Sequence, residues 1–404
     1  MWRRLALSLI GRVRGGRIEI VEGDRVTTVG DPGSDLRARV VVHSPRLWRR
    51  MLRGSTGLAE SYLRREWDCD DLVALATIAG LNLPRLDSVR RRLRFVTGPA
   101  QRLGPLMPRT TRARGRRQIA AHYDLGNGLF SLFLDPSMNY SSAVYRDPED
   151  DLETAQIQKM DQIADRLELG PEHHLLEIGT GWGGLAIHLA ARSGCRITTT
   201  TISREQAVLA RERIARAGLS DTIEVVEVDY RDLTGEYDRL VSIEMIEAVG
   251  WKDFPTYFRQ CSSLLKPDGA MLLQAITIDD DAYELEKASR SFISHYIFPG
   301  GCLPSLREID RCLATETDLR TAWSSDIGLD YARTLSEWRG RFLAEATRLD
   351  QLGYDERFRR MWTLYLTFAE GGFRSRRNSD FQILLAKPEF MSAPARPRQA
   401  DMQF

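Results

Sequence analysis

The sequence predicts an α/β protein: a mostly parallel sheet with helices on both faces, preceded by a smaller α+β module. Three observations carry this. From about residue 155 onward, short apolar strand-like runs alternate with helix-length stretches, the pattern of a parallel sheet covered on both sides. The first of those runs ends in a glycine cluster, Gly179 to Gly184, that leads straight into a helical segment. Residues 1–83, by contrast, show period-two alternation and short helical patterns without a βα repeat. At roughly 150 residues per domain, a chain of 404 residues has room for two or three such units.

Residues 1–83 form the first unit. The apolar run Leu5 to Ile10 stops at Gly11-Arg12; it is too short for a signal-peptide core and no small-residue cleavage site follows, so it reads as an amphipathic helix. Two strands follow at 17–22 and 25–29 around the turn at Gly23, and a third at 38–43. Helical patterns cover 45–53 and 57–66, and 72–81 is an apolar segment. Residues 84–120 change in composition: eleven arginines stand against one acid, Asp87, interrupted by Gly98-Pro99, Gly104-Pro105 and Pro108. This stretch reads as an Arg-rich linker. Residues 121–388 form the main domain, with strands at 173–178, 196–201, 222–228, 237–243, 270–276 and 381–385, an aromatic insertion from Phe292 to Phe298, and helices near 330–370. The Pro-, Ala- and Arg-rich residues 389–404 read as a disordered tail.

Composition excludes several classes. The 57 Lys plus Arg nearly cancel the 56 Asp plus Glu, which argues against a generally basic nucleic-acid binder, so no nucleic-acid partner is expected. The five cysteines are odd in number and scattered, with neither a CxxC nor a His-Cys cluster; this speaks against a disulfide framework or structural zinc and for a reducing compartment, and no metal is expected. No uncharged run approaches the roughly 20 residues that span a bilayer, so membrane contact would be peripheral.

The cofactor signal sits at the strand ends. Glu177-Ile-Gly179-Thr-Gly181 puts an acid two residues before the first glycine and lacks the spacing that cradles a dinucleotide pyrophosphate. This form resembles motif I of class I S-adenosylmethionine (SAM) methyltransferases, whose cofactor carries no phosphate. Thr201, Ile202 and Gln206 follow the second strand, where Rossmann-like folds hold ribose hydroxyls; Ser203 with Gln206 also fits a helix capping box. Asp229, Tyr230 and Arg231 end the third strand, in position to bracket an adenine. Three such motifs in order are far more specific than any one.

Longer blocks extend the resemblance. Tyr123-Asp-Leu-Gly-Asn-Gly-Leu-Phe130, Met138-Asn-Tyr-Ser-Ser-Ala143, Glu244-Met-Ile-Glu-Ala-Val-Gly250, Tyr296-Ile-Phe-Pro-Gly-Gly-Cys-Leu-Pro304, the Asp330-Tyr331 and Trp338 block, and Gly372-Phe-Arg-Ser-Arg376 resemble, in order, the blocks of the cyclopropane-fatty-acyl-phospholipid synthase family. The resemblance covers about residues 118–388, and residues 1–83 are similar to that family's smaller lipid-associated domain. It implies the class I SAM-methyltransferase fold with a seven-stranded sheet. The implied activity is transfer of the SAM methyl group to a cis double bond of a phospholipid acyl chain, giving a cyclopropane or a 10-methylene branch. Tyr140 and Ser141 join the cofactor residues on this basis. Such a cationic reaction needs aromatic faces and a base; Tyr140, Ser141, Phe292, Tyr296, Phe298, Tyr331 and Trp338 are candidates for the lining.

The family holds bicarbonate as base with a Cys, a Glu, a His, a Tyr and an Ile backbone group. The matching positions here are Ser142, Glu247, Gln274, Tyr331 and Ile276, so two ligands are replaced. Glu247 either positions the base or is the base. With a phospholipid substrate in view, the arginines up to Arg112, Arg114, Arg116 and Arg117 read as a contact for the anionic inner face of the membrane. The enzyme is then cytoplasmic and peripheral, and a homodimer is one possible assembly. Two alternatives stay open: a SAM-dependent methyltransferase of a soluble small molecule, and a non-catalytic lipid-binding protein.

Overall fold

The computed structural model describes residues 2–101, 126–287, 289 and 291–391. Arg112, Arg114, Arg116, Arg117 and the start of the Tyr123 block lie outside these residues, as does the tail from 392.

The N-terminal module begins with a helix, Trp2–Ile10, and a four-stranded sheet: β1 (Arg17–Glu22), β2 (Arg25–Gly30), β3 (Arg37–Val42) and β4 (Trp67–Cys69), in the order β2-β1-β3-β4. β1 pairs antiparallel with β2 and parallel with β3. Ile18, Ile20 and Val40 alternate inward, against Leu47 and Trp48 of helix Arg46–Met51 and Tyr62 of helix Gly54–Leu63. This is the half-buried sheet that period-two patterning foretells.

The second sheet has seven strands: β5 (His174–Ile178), β6 (Arg196–Thr200), β7 (Ile223–Val226), β8 (Tyr237–Ile243), β9 (Leu265–Ile278), β10 (Arg320–Asp326) and β11 (Asn378–Ala386). Their order is β10-β11-β9-β8-β5-β6-β7. The five strands from β9 to β7 are parallel, while β11 runs antiparallel to both β9 and β10. This is the expected class I SAM-methyltransferase fold. From β5 the chain winds outward through β6 and β7, then returns to place β8 on the other side of β5. The reversal leaves a crevice at the carboxyl ends of β5 and β8, where ligands bind in open α/β sheets.

Two strands escaped the sequence reading. β4 is only three residues long. β10, Arg-Thr-Ala-Trp-Ser-Ser-Asp, is an edge strand with mostly exposed residues, so it has no buried face to imprint an apolar alternation.

One helix, Leu72–Gln101, crosses position 83, where the sequence reading ends the first domain, and continues through Pro84. Proline removes one helical donor, but tertiary packing holds the helix against helix Glu356–Arg374. The approach is close enough that a Cβ on Gly371 would lie 2.5 Å from Ala76 Cβ, and one on Gly80 2.1 Å from Ser375 Oγ. A buried ion pair, Asp87 with Arg377 at 2.6 Å, ties the same crossing; removing one partner of such a pair typically costs about 3–5 kcal/mol. Further along, Arg360 of helix Glu356–Arg374 stacks on Tyr62 at 3.9 Å and donates to Asp68. The module is thus packed directly on the sheet domain.

At the C-terminal end, Phe390, placed in the tail by composition, is buried at 6% and packs under Arg239. Among the described residues no helix is long and apolar enough to cross a membrane.

Candidate active site

A cavity of about 960 Å³ opens at the carboxyl ends of β5, β6 and β8. Its walls come from three sources: strand-end loops of the large sheet, the aromatic segment near residue 298 with helix Glu356–Arg374, and the N-terminal module through Ser55, Leu58, Ala76, Leu83 and Leu86.

The glycine turn forms one end. Gly179, Gly181 and Gly183 have φ of 108°, 52° and 81°, values that side chains rarely tolerate. The amides of Gly179 and Thr180 both donate to Thr200 O at 3.0 Å, so the turn is fixed to β6 before helix Gly184–Ser193 begins. Glu177, 3% exposed, accepts from Thr199 Oγ1 at 2.5 Å. Burial pushes its carboxyl up to about 8, opposed only by Thr199. Thr201 Oγ1 donates to Gln206 Oε1 at 2.8 Å, and Ser203 caps helix Arg204–Arg216 by accepting from Gln206 N at 3.3 Å. Gln206 is thus both a helix-start residue and a wall residue. Arg231 closes on Asp229 with Nε at 2.8 Å and Nη2 at 2.7 Å. All the expected cofactor positions, Tyr140, Ser141, Glu177, Gly179, Gly181, Thr201, Ile202, Gln206, Asp229, Tyr230 and Arg231, line this one cavity.

The other end is a carboxylate cluster. Glu244 follows β8 with φ 49°, a left-handed conformation that costs a non-glycine residue roughly 1–2 kcal/mol. Its Oε1 accepts from Ser142 N at 2.7 Å and Gln274 Nε2 at 2.8 Å; its Oε2 accepts from Tyr331 OH at 2.7 Å. Glu247 Oε1 accepts from Ile276 N at 2.6 Å, while its Oε2 is buried with no hydrogen-bond partner. Burial, then repulsion from Glu244, pushes the Glu247 carboxyl up to about 8. Asp380, fully buried, accepts from Gln274 Nε2 at 3.0 Å and shares a hydrogen bond with Glu244. Burial and the neighbouring carboxylates hold Asp380 well above the usual carboxylate range. With more donors on Glu244, the pair keeps its charge there and its proton on Asp380.

Gln274 belongs to a chain of amides: Gln162 donates to Gln382 at 2.8 Å, Gln382 to Gln274 at 3.0 Å, and Gln274 to the two acids. The β9/β11 register sets Gln274 opposite Gln382 and Ile276 opposite Asp380. Lys159, on helix Leu152–Arg166, is a buried residue of the cavity wall and donates to Ser141 Oγ at 2.7 Å. Burial lowers its ammonium to about 8, with Glu244, Asp135 and Asp380 opposing.

The sequence-selected residues divide accordingly. Glu247 and Tyr331 line the cavity, whereas Ser142 and Gln274 stand behind it, both fully buried. The hydroxyl of Ser142 donates to Ala143 O at 2.9 Å. Of the expected aromatic lining, Tyr140, Phe298 and Tyr331 are on the wall. Phe292 packs against Tyr296 and Phe368, and Trp338 backs Tyr140 in a stack of 5.1 Å. Glu244, Lys159, Asp380 and Tyr365 were not singled out as site residues. Lys159 and Gln156 had a legible signal, being polar at apolar-face positions of helix Leu152–Arg166. Tyr365 meets Tyr140 hydroxyl to hydroxyl at 2.8 Å, a contact no local pattern encodes.

The groups matched to a bicarbonate site are already engaged. Ser142, Gln274, Tyr331 and Ile276 donate to Ala143 O, to Glu244 and Asp380, to Glu244, and to Glu247 respectively. A resident bicarbonate does not fit this arrangement.

The family model "Mycolic acid cyclopropane synthetase" matches residues 110–383. The chain is 41% identical to the tuberculostearic acid methyltransferase UfaA1 of Mycobacterium tuberculosis, over 83% of this chain and 80% of that protein. It is 36% identical to the cyclopropane-fatty-acyl-phospholipid synthase of Escherichia coli, over 96% of this chain and 94% of that protein. Among solved structures, the cyclopropane synthase MmaA2 from Mycobacterium tuberculosis is similar with a TM-score of 0.63 and 28% identity, over 67% of this chain and 98% of that one. The mycolic acid cyclopropane synthase CmaA1 complexed with SAH and CTAB gives the same four figures.

Proposed function

This chain belongs to the mycolic acid cyclopropane synthetase family and is a SAM-dependent lipid methyltransferase; on that premise we propose that it adds one carbon to the cis double bond of unsaturated acyl chains in membrane phospholipids. The observation that carries this reading is the continuity of the cavity. It joins the strand-end cofactor residues to the carboxylate and tyrosine cluster and to an apolar wall from the N-terminal module. Leu86 and Phe368, two of its wall residues, are 42% and 37% exposed, which suits entry of an acyl chain from a lipid surface. That module precedes residue 110, where the family match begins, yet it falls within the stretch shared with the phospholipid synthase of Escherichia coli.

The reaction's demands fit the residues. SAM supplies the methyl group. As the methyl carbon leaves sulfur it bonds one alkene carbon, and a positive charge develops on the other. Tyr140, Phe298, Tyr331 and Tyr365 offer aromatic faces to that charge, and Glu244 and Glu247 offer carboxylates. A proton then leaves the added methyl. If its bonding pair closes onto the cation, a cyclopropane forms; if a hydride shift first moves the cation to the branched carbon, the same loss gives an exocyclic methylene. The two relatives, one named for a branched acid and one for a cyclopropane, keep both products in view.

The decisive experiment incubates the protein with methyl-labelled SAM and unsaturated phospholipid vesicles, then examines the acyl esters by mass spectrometry and NMR. Label in acyl chains, with either ring protons or vinyl protons, is expected; label only in water-soluble products, or none, overturns the reading. Charge reversal at Arg112, Arg114, Arg116 and Arg117 should weaken binding to anionic vesicles about 100-fold or more, at about 1 kcal/mol per charge, with SAM affinity unchanged. Unchanged vesicle binding removes the proposed membrane contact.

A further inference from the structure

We propose that Glu244 is a built-in base: its carboxylate occupies the seat that the resemblance assigns to bicarbonate and takes the proton from the added methyl, so the enzyme works without bicarbonate. This deepens the methyl-transfer reading and rests on it.

Three observations carry the inference. First, the donors that would hold a small planar anion converge on Glu244 itself: Tyr331 OH, Ser142 N and Gln274 Nε2, all within 2.8 Å. Glu244 lines the cavity, as do Tyr331, Glu247 and Ile276 around it. Second, the remaining expected donor, Ile276 N, is taken by Glu247. Third, Glu244 is held in a left-handed backbone conformation, φ 49°, natural to glycine. The chain accepts that strain at the position whose side chain reaches all three donors, a pattern typical of functional sites.

The step balances without a further reagent. The C–H bond of the added methyl breaks, its electron pair forms the new carbon–carbon bond, and the proton passes to a Glu244 carboxylate oxygen. Asp380, which shares a hydrogen bond with Glu244, and Lys159, whose charge interacts with Glu244 from the same cavity wall, are the neighbouring groups able to carry proton or charge away.

The test uses the full-length wild-type protein in buffer freed of carbon dioxide, with SAM and unsaturated phospholipid vesicles, and again with added bicarbonate. Equal rates are expected, and NMR of labelled bicarbonate should show no bound signal. A rate that collapses without bicarbonate and recovers with it, or a bound signal in the wild type, overturns the proposal. Glu244→Gln, which keeps the shape, should lose about 100-fold or more in rate at unchanged SAM affinity; retained activity overturns the proposal. Glu244→Gly relieves the backbone and frees the donors, so it should bind labelled bicarbonate and regain rate when bicarbonate is supplied. Should that variant fail to fold, the wild-type arms decide alone. A wild type that methylates no acyl chain refutes the methyl-transfer reading, while the bicarbonate signal still decides the seat.

Discussion

The two ends of the cavity manage buried polar groups differently. At the cofactor end, partners lie on the same or the adjacent strand end: Arg231 closes on Asp229 two residues away, Gln206 meets Thr201 five residues away, and Thr199 of β6 meets Glu177 of β5. At the carboxylate end, Glu244 is reached from residues 102, 30 and 87 positions distant, and oxygens of Glu247 and Asp380 stay without a geometric donor. One end is finished before a ligand arrives; the other keeps buried carboxyl oxygens unpaired where the proposed reaction would develop a cation. Unsatisfied buried acceptors cost stability, and a site that stabilises positive charge is where such a cost has a use.

Removing the unpaired acceptor is the strongest test of this contrast. Glu247→Gln should lower kcat by about 100-fold or more while leaving SAM affinity unchanged in calorimetry. Retention of most activity would assign Glu247 to the scaffold.

At the cofactor end the effect should appear in binding instead. Glu177→Gln should weaken SAM by about 10-fold, the scale of a hydrogen bond to a charged group. The same change should stabilise the free protein at pH 8, because a buried carboxylate is no longer ionised there.

The acids also predict a slope with pH. Glu177 and Glu247 are both raised to about 8 in the folded protein, so between the ordinary carboxylate range and about pH 8 the folded state holds protons that the unfolded chain has lost. These two groups therefore make stability fall as pH rises through that window and level off above it. Denaturant midpoints measured across the window should show the fall, and Glu177→Gln should flatten it. A wild-type curve that rises instead would show that other groups dominate.

The smallest effect is expected from Tyr365→Phe. It removes the hydroxyl contact with Tyr140, worth about 1 kcal/mol of stability, and leaves the ring in place. A large loss of rate with normal stability would instead assign that hydroxyl to the chemistry.

Legibility followed the same division. Strand-end motifs are local, so Glu177, Gly179, Gly181, Thr201, Gln206 and Asp229 were readable, and all line the cavity. Lys159 was readable in principle, as a lysine on an apolar helix face. Asp380 was not: an acid beside a hydrophobic strand gains meaning only when the β9/β11 register sets it opposite Ile276. The long helix through Pro84 was missed because its support lies in Ala76 meeting Gly371, nearly three hundred residues on.

The sequence by itself determined the alternation that makes a parallel sheet, the glycine turn at the end of β5, and the family, because each is written in neighbouring residues. Only the tertiary structure decided where the hydrogen-bond donors converge. Tyr331, Ser142 and Gln274 lie on separate elements, and their donors meet at Glu244 because β8, β9 and helix Gly328–Ala344 converge at the same end of the sheet. A hydrogen-bond donor has no address in sequence until folding gives it an acceptor.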